Sequence, residues 1–103
     1  MKVSTQALHF NADSTLIHFV EQKLEKLDKF FGDIIDASVV LKLDNNSGKR
    51  KDKVTEVKMI LPGCVLYVKE TSKTFESSVD GAVFALSSQL SKYKYKRMRS
   101  RRA

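Results

Sequence analysis

Val54-Thr55-Glu56-Val57-Lys58-Met59-Ile60-Leu61, then Pro62-Gly63, then Cys64-Val65-Leu66-Tyr67-Val68-Lys69, is the stretch that sets the architecture. Val57, Met59 and Leu61 alternate with polar residues, so a strand over 54–61 turns them to one face. Proline fixes φ and glycine accepts φ > 0, so Pro62-Gly63 suits the centre of a turn. The apolar run from Cys64 to Lys69 then returns as a second strand. Upstream, Ile34 to Leu43 reads as a third, with Ile35, Ala37, Val39, Leu41 and Leu43 inward against Asp36, Ser38 and Lys42. Asn45-Asn46-Ser47-Gly48 followed by Lys49-Arg50-Lys51-Asp52-Lys53 is a polar hairpin connection. Three strands joined by short turns form an antiparallel meander.

The meander has one apolar face and needs a cover. Leu16, Val20, Leu24, Leu27 and Phe31 recur at helical spacing and form one stripe. Asp13 is placed to cap that helix, because its carboxylate accepts free amides of the first turn, and Gly32 is placed to stop it. Its charges separate by side: Glu21, Glu25 and Asp28 on one flank, Lys23, Lys26 and Lys29 on the other. A second helix is expected from about Lys73 to beyond Lys92, capped at Thr71-Ser72, with Phe75, Val79, Ala82, Val83, Leu86, Leu90 and Tyr93 as its buried stripe. Gly81 lies in mid-helix, where glycine costs about 1 kcal/mol against alanine, so close packing against the sheet is expected there. Asp80 falls at the stripe's edge, where partial burial and a hydrogen bond to backbone or cap are expected. Lys2 to Phe10 reads as an initial strand. The order is β-α-β-β-β-α, an α+β two-layer sandwich: a four-stranded sheet with two helices on one face.

The chain has 103 residues, with 19 Lys and Arg against 12 Asp and Glu, for a net charge of +7. Residues 1–91 balance to zero. The whole surplus lies in residues 92–103, where Lys92, Lys94, Lys96, Arg97, Arg99, Arg101 and Arg102 stand with no acid among them. Such a cluster attracts polyanions and releases their counterions on binding. Lysines near a helix C-terminus also complement the macrodipole, which accounts for two or three of the seven. Tyr93 and Tyr95 are interleaved with the cations. Tyr93 follows the buried stripe, whereas Tyr95 is off it and suits stacking on an unpaired base. One domain over 1–96 with a basic C-terminal tail over 97–103 is the expected organisation.

Catalysis finds little support in these residues. His9 and His18 lack metal-spaced partners, His18 being expected on the exposed side of the first helix, and Cys64 reads as a small buried thiol with no adjacent histidine. The glycines are isolated and cradle no phosphate. The reading is therefore a non-enzymatic protein with no catalytic residues, no cofactor, no metal and no small-molecule substrate. No apolar run approaches the roughly 20 residues that span a bilayer, so no membrane is expected. Met1-Lys2 leads into an alternating segment rather than a secretory signal, which makes the cytoplasm the expected address.

Several strings meet a known family. They are Phe19-Val20-Glu21-Gln22-Lys23-Leu24-Glu25-Lys26-Leu27, Val39-Val40-Leu41-Lys42, and Phe75-Glu76-Ser77-Ser78-Val79-Asp80-Gly81 leading to Gln89-Leu90-Ser91-Lys92-Tyr93-Lys94. Over nearly its whole length the chain resembles the short ribosome hibernation promoting factors, the bacterial group that includes the ribosome-associated inhibitor and was once labelled a sigma-54 modulation protein. The resemblance implies the same element order, similar to a double-stranded RNA-binding domain with an added first strand. It implies binding to the small ribosomal subunit through rRNA, over the mRNA and tRNA path, and silencing of ribosomes in stationary phase or stress. The RNA-facing residues it implies are Lys23, Lys26, Lys92, Lys94 and Lys96. Lys29, Tyr95, Arg97, Arg99, Arg101 and Arg102 join them from the charge pattern, and Asp80 matches a structural aspartate. The chain stops at Ala103, short of the dimerisation domain of the long forms, and a monomer is expected when free. A generic binder of structured RNA and a protein-interaction module using the sheet edge are the alternative readings.

Overall fold

The computed structural model describes residues 1–8, 10–44 and 52–102, the last four as helical backbone alone. The expected strand placement of His9, the connection over 45–51 and the side chains of Arg99, Arg101 and Arg102 lie outside the described residues. Six elements follow in the order β1 (Lys2–Leu8), α1 (Ser14–Phe31), β2 (Asp36–Asp44), β3 (Asp52–Leu61), β4 (Cys64–Ser72) and α2 (Phe75–Arg102). They build the α+β fold expected from the sequence, one sheet of order β1-β2-β3-β4. The meander β2-β3-β4 is antiparallel, from Asp44 opposite Asp52 to Leu61 opposite Cys64. β1 joins parallel to β2, with Lys2 opposite Asp36 and Leu8 opposite Lys42. A parallel partner needs a crossover, and α1 supplies it.

α1 begins and ends as its sequence dictates. Asp13 Oδ1 accepts a hydrogen bond from the Leu16 amide at 2.8 Å, and Gly32, at φ +64°, donates its own amide to the Asp28 carbonyl. Asp33 follows at φ +63°. Two left-handed residues in succession swing the chain back, and the alternation that the sequence predicts slips by one residue ahead of the strand. Ile34, not Ile35, is buried, while Ile35 is 56% exposed. Ile35 keeps its backbone in the sheet by donating to the Ile60 carbonyl at 2.8 Å.

Three further boundaries differ from the sequence reading. β1 ends at Leu8, and Phe10 beyond it stacks on Phe75, ring centres 4.7 Å apart, where it seals the mouth of α2. β4 runs on to Ser72, its Thr71 and Ser72 paired with Val54 and Lys53, so neither is free to cap a helix. Thr74 does that instead, its Oγ1 accepting from the Ser77 amide at 3.1 Å. α2 then continues unbroken through residues 96 and 97 to Arg102.

The core lies between one face of the sheet and both helices. Val20, Leu24, Leu27 and Phe31 of α1 meet Val79, Ala82, Leu86 and Leu90 of α2 over Ala37, Val39, Leu41, Val57, Met59, Leu61 and Val68. α2 lies over β3 and β4, and α1 lies beside α2, towards β1. A buried hydroxyl pair, Thr55 Oγ1 with Ser78 Oγ at 2.6 Å, ties the first turn of α2 to β3. Gly81 is explained by close approach: a Cβ there would stand 3.2 Å from the Glu70 carboxylate of β4. Cys64 is half-buried rather than buried.

Candidate nucleic-acid interface

The charge separation on α1 has a structural use on each side. On the acidic flank, Asp28 stands 3.7 Å from the amino terminus at the start of β1. On the basic flank, Lys23 reaches across to α2 and pairs with Asp80 at 3.1 Å, while its ammonium also sits 5.3 Å from the centre of the Phe19 ring. Asp80 is therefore exposed and bound to a lysine, not partly buried against backbone as its place beside the stripe predicts. The residue rotates outward because position 80 is one step past Val79, which takes the core.

The two helices run parallel along this seam. Lys23 meets Asp80 near one end. Towards the other, Lys94 lies over the Phe31 ring at 5.8 Å and Arg97 pairs with Asp33 at 3.2 Å. Asp33, Lys94, Arg97 and Met98 line an open cleft of about 220 Å³. Arg97 also donates to the Tyr93 hydroxyl at 3.1 Å, and that hydroxyl donates to the Pro62 carbonyl at 2.8 Å. Tyr93 thus anchors the helix to the β3-β4 turn, the core-edge role that its place on the stripe predicts.

The predicted cations divide between faces. Lys94 and Arg97 come together at one end of the seam and Lys23 stands at the other. Lys26 and Lys29 face outward from α1 beside Gln22 and Glu25. Lys92 and Lys96 lie on the opposite flank of α2, over a shallow hollow of about 230 Å³ shared with Cys64, Leu66, Gln89 and Tyr93. Tyr95 projects outward between the flanks and is 62% exposed. Among the described side chains of α2, the cations therefore stand on both flanks over residues 92–97 instead of forming a single strip. Among the described residues, Lys26, Lys29, Lys92 and Lys96 make no ion pair, which leaves their charge available to a polyanion. Among the described residues, no cluster of three His, Cys, Asp or Glu stands ready to hold a metal, and no helix is long and apolar enough to cross a membrane.

The sequence reading passed over Phe30 and Phe84, which are 80% and 75% exposed. A helical projection finds both. Phe30 and Phe31 are neighbours and only Phe31 falls on the buried stripe, while Phe84 lies half a turn from Leu86.

Fold and surface together define a small α+β domain whose surplus positive charge lies on the last turns of α2, a helix that runs beside the basic flank of α1. The chain belongs to the Sigma 54 modulation protein / S30EA ribosomal protein family, which it matches over residues 3–98. It is 33% identical over 84 residues to a ribosome hibernation promotion factor of Deinococcus radiodurans, a match that takes in 81% of this chain and 44% of that protein. The chain thus spans under half the length of that relative. Its fold superposes on a ribosomal subunit interface protein from Coxiella burnetii with a TM-score of 0.82 at 21% identity, covering 92% of this chain and 99% of that one. The N-terminal domain of Protein Y from Thermus thermophilus gives a TM-score of 0.78 at 26% identity, covering 90% and 99%.

Proposed function

We propose that this chain binds the small ribosomal subunit through ribosomal RNA, across the path of mRNA and tRNA, and keeps ribosomes inactive in stationary phase or under stress. The observation that carries this reading is the acid-free run of seven cations on the last turns of α2, in a chain of this family. The names of the relatives, a ribosome hibernation promotion factor and a ribosomal subunit interface protein, support it. The mechanism is occlusion. Lys23, Lys26, Lys29, Lys92, Lys94, Lys96 and Arg97 contact phosphates, Tyr95 stacks on a base, and Arg99, Arg101 and Arg102 of the basic tail over 97–103 extend the contact. The protein acts as a cytoplasmic monomer and performs no chemistry of its own.

The test is ribosome sedimentation coupled to translation in vitro. The native chain is expected to pellet with small subunits and to suppress translation. Its binding should weaken with salt at a slope of about −0.7 to −0.9 per neutralised phosphate. The variant Lys92→Ala, Lys94→Ala, Lys96→Ala, Arg97→Ala, with its fold checked by circular dichroism, should no longer co-sediment. If it still pellets at moderate salt, the helix end is not the principal contact. Unchanged translation on saturated ribosomes overturns silencing.

A further inference from the structure

Two phenylalanines, Phe30 and Phe84, stand largely in water on the same helices that carry the cations, outside the core. Lys23, Lys26 and Phe30 are spaced i, i+3, i+7 and share one stripe of α1. Asp80, Phe84, Ser91 and Met98 are spaced i, i+4, i+11, i+18 and share one stripe of α2. The Lys23–Asp80 pair joins the two stripes at one end, and the helices run parallel from there. Phe84 stands one turn beyond Asp80, and Lys26 about one turn beyond Lys23, so the two advance together along the seam.

The surroundings of Phe84 are unusual for an exposed aromatic. Its helical neighbours at three and four residues are Asp80, Gly81, Ser87 and Ser88, all small. None is large enough to cover a ring face. Phe30 is held differently, its ring edge-on to Phe31 with centres 5.0 Å apart, and Phe31 in turn lies under Lys94. One ring is bare and the other braced. Two ammonium groups free of ion pairs among the described residues flank Phe30: Lys26, one turn before it on α1, and Lys94, over the Phe31 ring.

We infer that the seam between α1 and α2 is a stacking platform for unpaired RNA bases, with Phe84 and Phe30 offering the ring faces and Lys26 and Lys94 holding the adjacent phosphates. Charge complementarity decides the occupant. An apolar protein partner would bury the Lys26 and Lys94 charges along the same seam, whereas a nucleotide satisfies ring and ammonium together. A paired duplex hides its base faces, so the platform selects looped or single-stranded RNA. This inference rests on the RNA-binding reading and adds a preference that phosphate contacts alone do not give.

The probes are a short oligoadenylate carrying 2-aminopurine, a blunt RNA duplex of equal phosphate number, and purified small subunits. Phe84→Ala and Phe30→Ala are expected to weaken oligoadenylate binding by roughly 5- to 150-fold each. The slope of affinity against salt should stay unchanged, because no phosphate contact is lost. Duplex binding should also be unchanged. Lys26→Ala should instead reduce the salt slope by about one phosphate. Both phenylalanines are exposed, so neither substitution threatens the fold. If the native chain binds subunits and oligoadenylate while the phenylalanine variants bind both equally well, the platform is refuted and the ribosome reading stands. If the native chain binds no RNA or subunit at all, the ribosome reading fails first. A self-association of the native chain that Phe84→Ala abolishes, with RNA binding intact, assigns the seam to a second copy and overturns the inference.

Discussion

On the helix-free face of the sheet, Glu56 accepts a short hydrogen bond from the Tyr67 hydroxyl and pairs with Lys42 at 3.2 Å. The Tyr67 bond, more than the Lys42 and Lys69 charges, holds the Glu56 carboxyl below its ordinary value near 4.5, against the opposing effect of burial. The same bond raises the Tyr67 hydroxyl above 10.0. The signs follow from linkage. The Glu56 contribution to stability is complete above about pH 4.5 and is lost as pH falls through the lowered value. The Tyr67 contribution is complete below about pH 10 and is lost as pH rises through the raised one. Tyr67→Phe is therefore expected to move the Glu56 titration upward, read from its side-chain carboxyl carbon by NMR, and to bring the acid loss of stability to higher pH. An unmoved Glu56 titration contradicts the assignment. Nothing in the alternation of β3 and β4 announces this trio, because its members meet diagonally: Glu56 stands opposite Val40 and Lys69, Tyr67 opposite Lys58, and Lys42 opposite Val54.

Among the elements, α2 is joined to the sheet by polar contacts as well as by its apolar stripe. Thr55 and Ser78 are each about 1% exposed and bond to one another, and Ser78 also donates to the Phe75 carbonyl at 3.1 Å. Ser78→Ala leaves the Thr55 hydroxyl buried beside a methyl group and is expected to destabilise the fold by about 1–3 kcal/mol. Thr55→Val together with Ser78→Ala removes both polar groups and should recover most of that loss in urea unfolding. A double variant as unstable as the sum of the singles means the two hydroxyls act independently. The apolar stripes of both helices were legible because periodicity reports burial directly, and so was the α1 cap at Asp13. The cap at Thr74 was not, because Thr71 and Ser72 have the same capping chemistry and only strand pairing removes them from contention. The inward turn of Ile34 was equally hidden, since it depends on Asp33 adopting positive φ after Gly32, which a residue other than glycine seldom signals. For the surface, charge composition points to Lys92–Arg102, but the division of Lys92 and Lys96 from Lys94 and Arg97 between the two flanks of α2 depends on the position of β4.

For the whole molecule, the parallel entry of β1 has a consequence for the order of assembly. Each antiparallel hairpin closes over a short span, with Leu61 and Cys64 adjacent across their turn, whereas residues 2–8 pair with residues 36–42. Loop closure must precede the reward of non-local contacts. The meander and α2 can therefore consolidate first, and the earliest-synthesised strand is the last to find its neighbour. Until α1 has formed, the β2 margin is an open edge, and in the finished sheet β1 and β4 are the two edge strands. Native-state hydrogen exchange is expected to show β1 amides opening at lower free energy than those of β3, as a separate cooperative unit. Equal protection across all four strands means that the fold closes in one step.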